Sequence, residues 1–169
     1  MTISTLKELW HMELMDLYSA EKQILKALPK MIHSATNENL VTALEKHLEI
    51  SMEHKARLET IGRDTNLTLD GHDCKGIEGI ISEGEKMIAS ISDPDTRDAA
   101  IIASAQKVEH YEISGYGTAA AFAKQLEFND AAHLLAETLN EEKNTNDELS
   151  GIAEGGFFIS GVNENATEV

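Results

Sequence analysis

Carboxylates stand where apolar side chains are expected in two stretches of this chain, Lys107-Val108-Glu109-His110-Tyr111-Glu112 and Glu141-Glu142-Lys143. Ala132, Leu135, Leu139, Glu142, Asn146, Leu149 and Ala153 recur at alternating steps of three and four, which is one face of an α-helix. Glu142 and Asn146 interrupt that otherwise apolar seam. A similar face runs through Ile102, Ala105, Glu109, Glu112 or Ile113, Tyr116 and Ala120, so Glu109 and Glu112 lie one turn apart and point the same way. A buried carboxylate has to be paired, protonated or bound to a metal ion. Several of them converging between facing helices meet the requirement of a dimetal site in a four-helix bundle.

Two upstream helical patterns supply further candidates. The first runs from about Ser4 to Ser34, with Ser4 or Thr5 as N-cap and Glu8 placed for a capping box. Its inner stripe is Leu6, Trp10, Glu13, Leu17, Glu21, Ile24, Leu28 and Met31, and Pro29 is expected to kink or loosen the last turns. Position alone leaves Glu21 either an inward carboxylate or a surface partner of Lys22 or Lys26. The second helix is predicted from about Glu38 to Ile61, with Gly62 as its stop. Its most regular stripe is Leu44, His47, Ser51, His54 and Leu58. A lone histidine on such a face is usually a satisfied core residue. Here His47 and His54 lie two turns apart with Glu49 between them, which points to metal ligation, at His54 more than at His47.

The composition turns to Asp, Thr, Asn and Gly from Arg63 to Asp73, a loop, and a shorter helix follows from about Cys74 to Ser90. With the turn at Ser92-Asp93-Pro94-Asp95 this reads as one long crossover, which lets the second helix and the next long one run in the same direction. That next helix is predicted from about Asp95 to Leu126, where Gly115, Gly117 and Ala119 to Ala121 would allow close approach of a neighbour. The last, from about Asp130 to Glu154, is antiparallel to it and ends at Gly155-Gly156. Residues equidistant from a connecting loop lie at similar heights, so Glu112 falls opposite Glu142 or Lys143, and Glu21 opposite a position between Glu49 and His54. The expected fold is all-α: a four-helix bundle over residues 1–156 with one long crossover containing a short fifth helix, then a tail over 157–169. In the tail, Phe157, Phe158 and Ile159 are candidates to cover a groove or contact another subunit before a polar, mobile end.

A chain of 169 residues is most economically one domain, large enough to hold a core without staples. Its 14 basic against 30 acidic residues give a net charge of -16, which disfavours nucleic acid and anionic lipid and makes cations the natural partners. The single cysteine, Cys74, has no intramolecular partner, and no leader pattern or apolar run of membrane length is present. A cytoplasmic protein is expected.

The residues Asp16 to Gln23, His47-Leu48-Glu49, Ala105 to Ile113 and Leu139 to Lys143 carry a resemblance to the YciF-type bacterial stress proteins, ferritin-like helical proteins. The resemblance implies a homodimer of the rubrerythrin and ferritin type, produced under stress. It also implies two iron or manganese ions held by single glutamates at Glu21 and Glu109, bridging glutamates at Glu49 and Glu142, and an extra carboxylate at Glu112. The pattern departs from the superfamily where Met52 and Thr145 stand three residues after Glu49 and Glu142, in place of histidine, and His54 is the substitute on the second helix. A histidine-poor site favours harder ions. Three functions compete: a dimetal centre reducing peroxide or dioxygen or oxidising Fe(II), a metal-sequestering protein without turnover, and a metal-free dimer whose inward carboxylates pair with Lys107, Lys143, His54 and His110.

Overall fold

The structure is a computed structural model that describes residues 3–156 and 159–167. The expectation placed on Phe157, Phe158 and the Ile159 side chain lies outside what is described. Helix α1 (Leu6–Ser34) starts with a full capping box, in which the Thr5 hydroxyl accepts from the Glu8 N–H and the Glu8 carboxylate accepts from the Thr5 N–H. It continues unbroken through Pro29. Helix α2 (Glu38–Thr65) is capped by Asn37, whose side chain accepts from the N–H groups of Asn39 and Leu40.

Gly62 does not stop α2. The helix runs on to Thr65 and ends at Asn66 in the left-handed conformation, with φ 56°. The role of Gly62 is proximity: a Cβ there would meet the Leu67 carbonyl oxygen at 3.0 Å and the Leu69 side chain at 3.1 Å. Helix α3 (Lys75–Ala89) forms the crossover, and α4 (Pro94–Gln125) begins with Asp93 as N-cap and Pro94 in the first turn. Helix α5 (Asn129–Glu154) completes the bundle. The chain then returns through a two-residue antiparallel pairing, β1 (Gly155–Gly156) with β2 (Ile159–Ser160), to α6 (Val162–Asn165). The tail is therefore not merely a polar end, because Val162 is buried in the core.

Helix α1 packs on α2 and α4 on α5, while contacts of α1 with α4 and of α2 with α5 close the bundle. Two features settle the directions. At one end the Asp98 carboxylate, near the start of α4, accepts from the backbone N–H groups of Thr36 and Asn37 at 2.9 and 2.7 Å and from the Thr36 hydroxyl at 2.7 Å. At the other, Trp10 near the start of α1 stacks on Phe128 between α4 and α5, with ring centroids 5.0 Å apart. The α1–α2 turn thus lies beside the start of α4, and α2 and α4 run the same way. Gly115 allows the approach of α1 to α4, since a Cβ there would meet Leu17 at 2.8 Å.

The apolar core is in two parts. One gathers Trp10, Leu14, Leu17, Leu58, Tyr116 and Leu135; the other gathers Ile24, Leu40, Leu44, Ile101, Ile102 and Leu149. On each of the four long helices the inward residues between these parts are polar: Glu21, then His47, Ser51 and His54, then Glu109 and Glu112, then Thr138, Glu142 and Thr145. A polar layer is sandwiched between two apolar ones. Burying a large apolar side chain contributes roughly 1.5–3 kcal/mol, so the flanking layers can carry the cost of the polar one.

Candidate metal centre

The four long helices each send charged or imidazole side chains into the polar layer. Glu21 comes from α1, His47 and His54 from α2, Glu109 and Glu112 from α4, and Glu142 from α5, and none exceeds 3% exposure. They form two donor sets sharing Glu142: His47, Glu109, Glu112 and Glu142, and Glu21, His54 and Glu142, with one potential ligand atom per residue lying within 4.8 Å of the others in its set. Spacing on the helices explains the convergence. Glu109 and Glu112 are one turn apart, His47 and His54 two turns apart, and each pair faces inward because its neighbours on the stripe are core residues.

Partners are scarce in this layer. Among the described residues eight buried side-chain atoms have no hydrogen-bond partner: Oε2 of Glu21 and Glu109, both carboxylate oxygens of Glu112 and Glu142, and Nδ1 of His47 and His54. His54 Nδ1 lies 2.8 Å from Glu142 Oε1 and 3.5 Å from Glu21 Oε1, close enough for charge attraction but not aligned as a hydrogen bond. His47 Nε2 is 3.5 Å from Glu109 Oε1 and 3.4 Å from the Ser51 hydroxyl. Better satisfied contacts surround the cluster. The Tyr116 hydroxyl donates to Glu21. His54 Nε2 is 2.9 Å from Glu141 Oε2, and Arg57 holds that carboxylate with both terminal nitrogens.

The electrostatics follow from this crowding. Burial, then the neighbouring Glu142, pushes the Glu109 and Glu112 carboxyls well above the usual value of 4.5. Burial also raises Glu21 and Tyr116 and lowers His47. Burial opposes the charge on His54, but Glu142 and Glu21 outweigh it and lift the imidazole to about 10. The Glu142 carboxyl resists burial and stays below its usual value because of His54 and Glu109. Arg57 holds Glu141 low. Without a metal ion, a proton on His54 is the cation of the layer.

The structure brings together five of the six candidates, Glu21, His54, Glu109, Glu112 and Glu142, and leaves the sixth outside. Glu49 is exposed. It stands two residues from both His47 and Ser51, on the opposite side of α2, and cannot reach the layer. His47, the less favoured histidine, is inside. The cations expected to pair the carboxylates in a metal-free dimer are mostly outside as well: Lys107 pairs with Glu83 at the surface, while Lys143 and His110 are exposed. Of these four cations only His54 meets the inward carboxylates. Ser51, Glu141 and Arg57 were not singled out as candidates; the stripe through His47 and His54 could have found Ser51, and the step of three from Arg57 back to His54 could have found Arg57.

A known arrangement of two ions in a bundle uses one Glu from each of two helices and a Glu-x-x-His pair from each of the other two. Here the corresponding pairs read Ser51-x-x-His54 and Glu142-x-x-Thr145, with Ser51 and Thr145 both buried. The carboxylate absent at Ser51 is replaced by Glu112 from α4, and the histidine absent at Thr145 by His47 from α2. The layer still contains four glutamates and two histidines, dealt differently among the helices.

Comparison with known proteins agrees with this architecture. Protein YciF of Escherichia coli (strain K12) is 41% identical over 167 residues, which cover 98% of each chain. The crystal structure of the E. coli stress protein YciF has a TM-score of 0.88 at 38% identity, over 99% of this chain and 100% of that one. YcfI from Rhodopseudomonas palustris, described as a proposed structural protein, has a TM-score of 0.87 at 42% identity, over 89% of this chain and 96% of that one. Among the described residues no helix is long and apolar enough to cross a membrane. Residues 5–167 match the family described as a domain of unknown function, DUF892, and the chain belongs to that family.

Proposed function

We propose that this DUF892 chain is a ferritin-like protein that holds two divalent ions, iron or manganese, in the polar layer of its bundle, and that it serves in a stress response as the E. coli relative's description suggests. The observation that carries this reading is the set of eight buried donor atoms without partners. Native proteins satisfy nearly all such atoms, and a coordinating ion satisfies many at once. Charge supports the same reading: Glu21, Glu109, Glu112 and Glu142 with neutral histidines balance two divalent cations. A set with four carboxylates and two imidazoles suits iron or manganese better than a thiolate-seeking ion.

When bound, such an ion pair supplies redox equivalents toward peroxide or dioxygen. The chain's own groups hold and orient. Glu142 belongs to both donor sets and would be shared between them. The ion pair of Glu141 with Arg57 fixes the ring of His54 through Nε2 and leaves Nδ1 for an ion, the arrangement by which outer groups orient a ligating histidine. Tyr116 donates to one oxygen of Glu21 and leaves Oε2 free. Apolar clusters flank the layer above and below. The metal-free reading keeps one observation in its favour, the charged His54 lying between Glu141 and Glu142, and leaves Glu112 to be neutralised by a proton.

The test is metal content per chain after anaerobic reconstitution with Fe(II) and with Mn(II). The wild type is expected to retain about two ions, Glu142→Gln to lose both and Glu49→Gln to match the wild type. No retained ion in the wild type, with Glu142→Gln changing only stability, would assign the layer to fold maintenance. The homodimer implied by the resemblance belongs to the same proposal and is read from sedimentation of the loaded protein.

A further inference from the structure

A cavity of 640 Å³ opens between the C-terminal half of α1, helix α3 and the N-terminal half of α4. Its size is that of a small-molecule site. Ile24, Leu28, Met31, Ile81, Ile88 and Val108 make the walls apolar. The inner end is different: it is formed by His47 and Glu109, 3% and 1% exposed, whose Nδ1 and Oε2 atoms lack partners. The outer end carries three basic groups, Lys30, His33 and Arg97, in a chain with more than twice as many acidic residues as basic ones. Lys30 is committed to Glu85 at 2.7 Å. Arg97 donates from Nε to the Ser34 carbonyl at 3.0 Å, and that is its one side-chain hydrogen bond among the described residues. Its terminal nitrogens are left for a ligand.

We propose that this cavity binds a linear carboxylate with an apolar tail, of the medium-chain fatty acid class. The carboxylate lies at Arg97 and His33, where a guanidinium can bind it with two parallel hydrogen bonds. The tail runs along the apolar walls, and its far end meets His47 and Glu109. Arg97 and Glu109 are twelve residues apart on α4, a rise of about 18 Å, which fits an extended acyl chain. A basic mouth on an acidic molecule also draws an anion to this one place. Binding stands on the cavity alone; a role for the tail as substrate rests on the ion reading above, because only then does it end beside a reactive centre.

The experiment is a titration of dodecanoate, below its micelle concentration, into the metal-free and the ion-reconstituted protein, with dodecanol as the headgroup control. One saturable site is expected in both forms, about tenfold weaker for the alcohol, with the preference erased in Arg97→Gln. Ile81→Trp, which fills the cavity from the half-buried face of α3, should weaken dodecanoate at least about tenfold while circular dichroism stays unchanged. The proposal is overturned by the absence of saturable binding, or by Ile81→Trp binding like the wild type. It is also overturned by a wild-type dimer that Ile81→Trp converts to monomer, since the mouth would then be covered by a second copy. Saturable binding in a protein that retains no ions keeps the site and removes the substrate role.

Discussion

Asp98 and Glu112 are both carboxylates on α4, 1% and 0% exposed, yet their surroundings are opposite. Asp98 receives two backbone N–H groups and a hydroxyl from the α1–α2 turn. Glu112 receives nothing on either oxygen and faces Glu142, Glu21 and Glu109. A buried acid that holds a fold together is given its donors by the chain, because a charge left without them costs several kcal/mol. The chain has supplied none to Glu112, so the missing positive charge must come from a proton or from an ion. The difference separates an acid that the fold supplies with donors from one left to take up a proton or an ion, without any appeal to sequence likeness.

Removing each acid in turn tests that separation. Asp98→Ala strands two backbone donors and should lower the unfolding free energy by about 3 kcal/mol in urea titrations, with or without metal ions. If it were neutral, the clasp would not be structural. Glu141→Gln leaves the layer's own ligands in place but loosens His54, and is expected to weaken ion affinity about tenfold in competition with a chelator, the scale of loss when an outer partner of a ligating histidine is removed. An unchanged affinity would detach Glu141 from the centre.

Glu112→Gln should do the reverse of Asp98→Ala and stabilise the metal-free protein at pH 7, because burial and the neighbouring carboxylates oppose the charge that Glu112 carries in the unfolded chain. The sign follows from proton counting. A carboxyl held above 4.5 in the folded state binds more protons folded than unfolded, so its contribution is complete below that value and is lost as pH rises. His54, raised from 6.5 to about 10, has the same sign, with stability complete below 6.5 and lost as pH passes through about 10. Glu141, Glu142 and His47, held below their usual values, act with the opposite sign but only up to about pH 6.5. Above that pH the metal-free protein should therefore grow less stable toward alkaline pH, and ions, which compete with the protons of the raised groups, should bind more tightly along the same path. A flat pH profile in chemical denaturation would contradict the unpaired state of the layer. The smallest effect belongs to Glu49→Gln, expected to leave stability and ion content at wild-type levels.

Helix α2 shows how much of the site could be read beforehand. The stripe Leu44, His47, Ser51, His54 and Leu58, taken from spacing alone, coincides with the buried face of the helix. Glu49, which the spacing places between the two histidines and the resemblance makes a bridging ligand, is exposed instead, because two residues from both His47 and Ser51 is the other side of the helix. Periodicity records which side of a helix is buried, whereas a ligand set can be dealt among helices in more than one way. The placement of Glu112 opposite Glu142 was likewise legible from the short α4–α5 connection. The Asp98 clasp and the return of Val162 to the core were not, because each depends on contacts between segments that no local pattern relates.

The clasp has a consequence for how this architecture can change. By tying the α1–α2 turn to the start of α4, Asp98 sets the register of the two hairpins at one end, and the crossover between them becomes a spacer. Doubling the length of such a spacer costs only about 0.6 kcal/mol in closure entropy. Helix α3 contributes no side chain to the polar layer, but it forms one wall of the cavity beside it. Insertions, deletions and substitutions in the crossover can therefore reshape the cavity beside the bundle while the six inward acidic and imidazole side chains stay where they are.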